Sequence, residues 1–330
     1  MTFTFKPAVR ENVSLLIGLA GGTGSGKTFT AMRLAAGIAG DKPFALIDTE
    51  AGRGKHYADQ FRFDHGDLAA PFTPERYTEA IMAADKAGYP VIVVDSMTHV
   101  WAGDGGVLDW QEAELDRMAG QDWKKREGCK MAAWIKPKMA HKKMVQRLLQ
   151  IRAHLILCFR AEEKVEIVRE PDEQGRMKTK IVPKQSLTGL EGWIPVCEKN
   201  LPFELTTSFL LLASQPGIPK PIKLQHQHRA LFPLDQPISE ESGRRIAEWA
   251  SGGKARPEVH AADPATTERR ARMVADFEIL CREEGQAAFV ARFKALSKED
   301  KALIGIAERD RIALLNPPKT TEPATTEEHA

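Results

Sequence analysis

The stretch Gly21-Gly22-Thr23-Gly24-Ser25-Gly26-Lys27-Thr28 constrains this chain more than any other. It has the form G-x-x-x-x-G-K-T, which works as a phosphate cradle only between a strand and a helix. Both flanks are legible. Leu15-Leu16-Ile17-Gly18-Leu19-Ala20 is an apolar run of the kind a buried strand needs, and Thr28 to Ala39 reads as a helix stopping near Gly40. Glycines let the backbone close around phosphates with no Cβ in the way. Inward N–H groups and the helix N-terminus then supply positive potential. Within the motif, Lys27 is assigned to the β- and γ-phosphates and the Thr28 hydroxyl to Mg²⁺. Phe29 is counted with the nucleotide-binding stretch. The dinucleotide fingerprint G-x-G-x-x-G fails, because its last position falls on Lys27 counted from Gly22 and on Phe29 counted from Gly24.

The stretches that follow alternate between strand and helix. Pro43 to Asp48 is a short apolar run, followed by a polar, Gly-containing segment from Ala51 to Gly66. A helix is expected from about Pro74, with Thr73 as its cap, Tyr77, Ala80, Ile81 and Ala84 on one face, and Gly88 as its end. Pro90 to Ser96 is β-branched and apolar, as a strand buried on both faces of a parallel sheet should be. A long insertion, Met97 to Lys138, precedes a helix at about Met139 to Arg152 and a strand at His154 to Phe159. The pattern then turns to strands. Lys164–Arg169 and Met177–Val182 flank a turn cluster at Pro171 to Gly175, a further strand is expected over Phe203 to Ala213, and shorter extended pieces lie near Pro221–Leu224 and Ala230–Pro233. A helix near Glu240 to Ala250 closes the domain. The reading is an α/β protein: a domain over 1–250, a linker over 251–266, a helical module over 267–316 and a disordered Pro/Thr/Glu-rich tail over 317–330. The module's helices are marked by Phe277, Leu280 and Cys281, by Phe289, Phe293 and Leu296, and by Leu303, Ile306 and Ile312, with Ser297 and Asp300 as a cap. Its size is marginal for an independent core.

Composition decides little beyond solubility of the fold. Hydrophobic residues at 42% and charged residues at 28% are ordinary for a globular chain, and a net charge of +2 points to no class of partner. Cys129, Cys158, Cys197 and Cys281 are widely spaced, which fits reduced thiols in the cytoplasm rather than a disulfide frame or zinc site. No apolar run is long enough to span a bilayer, and Met1 to Ser14 lacks a signal-peptide core.

Two carboxylates complete the motif. Asp95 ends an apolar strand, the position of the acid that holds the Mg²⁺ shell in a P-loop sheet; the plain alternative is an acid capping the next turn. Glu50 stands beyond the carboxyl end of the preceding strand, where ligands bind in open α/β sheets. A carboxylate there can orient and deprotonate an attacking water, or it is simply an exposed loop acid. Ile47-Asp48-Thr49-Glu50 and Val91-Ile92-Val93-Val94-Asp95-Ser96 together resemble the RecA superfamily of P-loop ATPases, over about residues 12–250. More narrowly, the chain resembles the short RecA-like (AAA family) ATPases of phages and prophages, some of which act with single-strand annealing recombination. Phe159 to Lys164 and Leu201 to Leu205 also resemble that group.

The resemblance implies a RecA-like core, ATP and Mg²⁺ as cofactors, Glu50 as catalytic base, Asp95 as the Walker B acid and hydrolysis of ATP. It also implies a ring- or filament-forming homo-oligomer, single-stranded DNA as a ligand, and a single-strand-binding or annealing protein as a partner. The chain departs from the pattern at Arg160, where RecA itself has a γ-phosphate-sensing Gln. Arg160 either senses the phosphate by charge or pairs with Glu50 or Asp95. A cation acting from a neighbouring subunit is assigned no single position; Lys184, Lys220, Lys223 and Arg229 are candidates.

From Trp123 to Arg147 the basic residues are Lys124, Lys125, Arg126, Lys130, Lys136, Lys138, Lys142, Lys143 and Arg147, interleaved with Trp123 and Trp134. Phosphate neutralisation plus stacking is how sequence-tolerant single-strand binders work. This segment stands where RecA relatives carry a first DNA-binding loop, and the hairpin with Lys164, Arg169, Arg176, Lys178, Lys180 and Lys184 stands where the second would be. The competing reading is a solvated helix face whose cations pair with Asp109, Glu112, Glu114 and Asp116 just before it. Two other functions stay open: a P-loop kinase of a small acceptor, for which no arginine-rich lid is evident, and an adaptor whose assembly is switched by nucleotide.

Overall fold

The computed structural model describes Phe5, Ala8, Arg10 and residues 13–171, 177–184, 192–252 and 264–316. The chain divides into two compact units, Val9–Lys254 and Ala255–Ala330 together with Met1–Ala8.

The larger unit is built on a mostly parallel sheet. Its strands are β1 (Leu16–Gly21), β2 (Phe44–Asp48), β3 (Phe63–Asp67), β4 (Val91–Asp95), β5 (His154–Glu163), β8 (Trp193–Pro195), β9 (Thr207–Leu212) and β10 (Gln215–Lys223). They lie in the order β10-β9-β1-β5-β4-β2-β3, with β8 added to the end of β5. All pairings from β9 across to β3 are parallel, while β10 and β8 are antiparallel to their neighbours. Between their ends the central strands are apolar because both faces are covered. On one face Leu16, Ile47, Ile92, Val94, Leu155 and Leu157 pack on Tyr77 and Ile81 of α2 (Pro74–Ala87) and on Met144 and Leu148 of α6 (Ile135–Leu148). On the other, Ile17, Leu19, Leu46, Val93, Ile156 and Phe209 pack on α1 (Lys27–Ala39) and α8 (Glu240–Ser251).

Helices α1 and α8 meet backbone to backbone. A Cβ on Gly37 would stand 2.0 Å from the Glu240 carbonyl oxygen, and one on Gly243 would stand 2.3 Å from that of Leu34. Only glycine permits that approach. Arg33 forks onto the Glu240 carboxylate at 2.7 to 2.9 Å beside it.

Several elements differ from the expected ones. The polar segment 51–66 contains a 3-10 turn at Arg53–Tyr57 and reaches β3, which pairs along β2. Its sequence, FDHGD, lacks an apolar pattern because it is an edge strand. The insertion before α6 is helical: α3 (Thr98–Ala102), α4 (Val107–Ala119) and α5 (Trp123–Ala133) precede α6, which starts earlier than Met139. Phe203 belongs to α7 (Leu201–Glu204), so the strand there begins at Thr207. Residues 226–231 form a 3-10 turn rather than the start of an extended piece. β6 (Val165–Pro171) and β7 (Met177–Pro183) pair antiparallel as a separate ribbon. The turn residues 172–176, including Arg176, lie outside the described residues, as do 253–263 of the linker and the tail 317–330.

The smaller unit contains α9 (Pro264–Glu284), α10 (Gln286–Lys294), α11 (Lys298–Ile304) and α12 (Ile306–Ala313) around Phe277, Cys281, Phe289, Ile304 and Ile312. Gly305 splits the expected third helix in two. Ser297 caps α11, its hydroxyl accepting the Asp300 N–H at 3.0 Å. No helix among the described residues is long and apolar enough to cross a membrane.

Candidate nucleotide site

Parallel strands that end together bring their carboxyl-end loops together. In the sheet register Gly21 stands beside Arg160, and Asp48 beside Asp95. The result is a cleft of about 1030 Å³, lined by the whole stretch Gly21 to Phe29 and by Glu50, Arg53, Tyr57, Asp95, His99 and Arg160 among others.

The P-loop is held open by its own bonds. Gly26 takes φ of 80° at the N-cap of α1, a turn glycine adopts without a steric penalty. The Ser25 hydroxyl and Lys27 Nζ both donate to the Gly22 carbonyl, at 2.8 and 2.9 Å. Thr28 Oγ1 donates to Asp95 Oδ2 at 2.5 Å. A hydroxyl and a carboxylate so placed fit a hard divalent cation such as Mg²⁺, which takes one or two protein oxygens and fills its shell with phosphate oxygens and water. Thr28 and Asp95 are the residues that would hold it. Asp95 is only 6% exposed. Burial raises its pKa to about 6, against the pull of the Thr28 hydroxyl, and the nearby Glu50 charge adds to the rise.

Glu50 is engaged rather than free. Arg160 Nη2 lies 2.8 Å from one of its oxygens and Arg53 Nη1 3.3 Å from the other. Desolvation pushes this carboxyl up, but the Arg160 and Arg53 guanidiniums outweigh it and hold Glu50 below the ordinary value. Of the two possibilities for Arg160, this geometry has it paired with Glu50, while its own N–H is anchored on Thr98 Oγ1 at 2.9 Å.

The loop carrying Glu50 is fastened by Asp48. One Asp48 oxygen accepts the Glu50 N–H at 2.7 Å; the other accepts the Gly54 N–H at 2.8 Å and faces His65 Nε2 at 3.1 Å. Burial opposes ionisation of Asp48, yet these bonds keep its pKa low. Above the P-loop, Phe29 forms an aromatic group with Tyr57 and Phe61, ring centroids 5.8 and 5.7 Å away. Arg53, Tyr57 and His99 were not singled out from the sequence, and Asp48 was read only as part of the motif that ends at Glu50, with no role of its own. Asp48 was legible in principle, because a strand-terminal Asp followed by a turn accepts backbone N–H groups.

The basic face divides into two sets. Trp123 is 74% exposed, and Lys124 and Lys125 beside it are exposed and make no ion pair among the described residues. Lys138 lies over the Trp134 ring at 5.2 Å, and Trp134 stacks on Trp101 of α3 at 5.9 Å. Others are neutralised by α4. Arg126 is clamped by Glu112 and Asp116, and Lys136 pairs with Glu114 at 3.0 Å. Lys130 stands 3.9 Å from Glu127. Arg126 and Lys136 are therefore engaged by neighbouring acids, as the solvated-face reading expected. Among the candidate trans-acting cations, Lys223 donates to the carbonyls of Phe203 and Leu205 and is occupied in holding that loop.

A family model described as an AAA domain matches residues 14–195, more than half of the chain. No curated protein matches it. The matched region runs from β1 through β8 and contains the P-loop, Glu50, Asp95 and Arg160. With a P-loop cradle, a hydroxyl–carboxylate pair for a divalent cation and that match, the chain belongs to the AAA-domain family of P-loop ATPases.

Proposed function

We propose that this protein hydrolyses ATP with Mg²⁺ and couples turnover to single-stranded DNA, as a homo-oligomer in phage-type recombination or replication. The observation that carries the coupling is the position of α3. Its Thr98, His99 and Ala102 line the nucleotide cleft, while its Trp101 stacks on Trp134 of the basic face. One short helix thus lines the cleft and packs through Trp101 on the half-buried Trp134, over which Lys138 lies, on the side of the protein whose tryptophans and lysines suit bases and phosphates. Within the cleft, Lys27 neutralises phosphate charge, Thr28 and Asp95 hold Mg²⁺, and Glu50 orients the attacking water. The Phe29–Tyr57 wall suits the flat face of a base. A single-strand-binding or annealing protein is the natural partner of such an activity.

The test is phosphate release from ATP with and without single-stranded DNA, measured beside oligomer size. Stimulation by DNA supports the reading; turnover indifferent to DNA, or transfer of phosphate to a small acceptor, sinks it. One observation favours a second reading, that of a nucleotide-switched adaptor: Glu50 is held by two arginines and so is not free to act as a base. Under that reading Glu50→Gln leaves nucleotide-dependent assembly and function intact.

A further inference from the structure

We infer that His99 is a positioning residue of the hydrolytic site, holding Thr49 and through it the adjoining Glu50 against the Walker B strand. The inference rests on the ATPase reading above and adds a residue that neither the P-loop nor the acidic motifs include.

Thr49 joins Asp48, the end of β2, to Glu50. Its backbone N–H donates to the Asp95 carbonyl at 2.8 Å. Its Oγ1 accepts the Ser96 N–H at 2.7 Å, so one side chain links the ends of two strands. The remaining question is where the Thr49 hydroxyl sends its own proton. The Ser96 carbonyl is 3.2 Å away and already accepts the Tyr77 hydroxyl at 2.8 Å. His99 Nδ1 is nearer, at 2.8 Å, and shares its lone pair with no other donor among the described residues. The carbonyl has a second lone pair, so it is the shorter distance that favours Nδ1 as the acceptor. Nδ1 is then unprotonated, and the neutral ring carries its proton on Nε2.

The surroundings keep that state. His99 is packed against the Phe72 ring, centroids 4.9 Å apart, which fixes its plane. Gly103 donates its N–H to the His99 carbonyl at 2.8 Å, which closes the backbone of the short helix that carries the ring. Desolvation and the Arg160 charge both disfavour the imidazolium, and they outweigh the attraction of Glu50 and of the Thr49 carbonyl. Arg160 and Glu50 are the charged groups that face it. A ring held neutral in this tautomer goes on accepting from Thr49, whereas an imidazolium would reverse the bond, Nδ1–H donating to Thr49 Oγ1 and the hydroxyl turning to the Ser96 carbonyl.

Asn and Gln separate the two ring nitrogens. The Asn amide reaches about as far as Nδ1, and the Gln amide about as far as Nε2. His99→Ala and Thr49→Val should each lower kcat roughly ten- to a hundredfold, the loss that a misplacement of about 1 Å causes. The nucleotide dissociation constant should stay within about twofold. The double variant should lose no more than either single one, because both break one bond. His99→Asn should recover most of the rate and His99→Gln should not. Thermal melting checks that each variant folds. Independently of turnover, ¹⁵N chemical shifts of the nucleotide-free protein at neutral pH should show Nδ1 bare and Nε2 protonated. A proton on Nδ1, equal rates for the Asn and Ala variants, additive losses, or an effect confined to nucleotide affinity would overturn the inference. Turnover by the wild type with no change in His99→Ala overturns the role of His99 alone; no turnover by the wild type overturns the hydrolytic reading with it.

Discussion

The nucleotide cleft and the α5–α6 face are both rich in charge, and they use it in opposite ways. In the cleft the three carboxylates stand at or just beyond strand ends and each has a partner: Asp95 has Thr28, Glu50 has Arg160, and Asp48 has two backbone N–H groups. The register of the parallel sheet brings Asp48 beside Asp95 and so places two of these carboxylates together. On the α5–α6 face the cations stand in water, and α4 decides which remain available. Arg126 and Lys136 are consumed by acids, while Lys124 and Lys125 are not. Charge density along the sequence therefore overstates the surface that a polyanion could use, and understates how far the cleft is already organised without its ligand.

The largest effect should come from the cleft. Glu50→Gln keeps the shape of the side chain but removes the base, so kcat should fall about 10²- to 10⁴-fold while nucleotide binding is retained. Single-turnover kinetics beside equilibrium binding would show it, and equal loss of both would break the contrast. On the face, Trp123→Ala should weaken binding of single-stranded DNA about ten- to a hundredfold, the range for loss of one stacking platform. Basal turnover without DNA should stay as it is.

The next prediction concerns pH. Asp95 is raised to about 6 by burial, so its proton competes with Mg²⁺ below that value. Apparent Mg²⁺ affinity at fixed nucleotide should be level above pH 6 and fall by up to about tenfold per pH unit beneath it. For the protein without metal or nucleotide the sign is the reverse. The native state binds a proton on Asp95 that the unfolded chain releases near pH 3.8, so this group's contribution to stability declines as pH rises through that window. Metal titrations and urea melts across pH 4 to 7 separate the two.

The smallest effect should belong to Arg126→Ala. Its partners Glu112 and Asp116 are themselves exposed and solvent screens such pairs, so stability should change little. DNA binding and its salt dependence should hardly move, whereas Lys124→Ala with Lys125→Ala should flatten the salt slope. If Arg126→Ala weakened DNA binding as much as the lysine pair, α4 would not be screening this face.

The P-loop was readable because its chemistry is contiguous: glycines, lysine and threonine sit in one turn, flanked by a strand and helix that any apolar run reveals. Asp95 was readable for the same reason, at the end of Val91-Ile92-Val93-Val94. The Glu50–Arg160 pair stood beside phosphate sensing and a pair with Asp95 as open readings, since its members meet only when β2, β4 and β5 fall into register. β3 escaped notice because an edge strand of Phe-Asp-His-Gly-Asp has one buried neighbour and no alternation to betray it. The helices α3 to α5 were hidden in an insertion whose polar residues are satisfied by one another, a pattern that looks like a loop until the ion pairs are drawn.

The glycine contact between α1 and α8 bears on where this chain can be cut. The family match ends at residue 195, yet the helix that begins at Lys27 is seated against residues 240 to 243, with no side chain between the two backbones. A fragment trimmed to the matched region would lose strand β9 from beside β1 and would bare a groove shaped for a bare backbone. The smallest piece that keeps the P-loop helix supported therefore runs at least to Ser251, and the nucleotide-binding end of the molecule is fixed by residues that its own family signature leaves out.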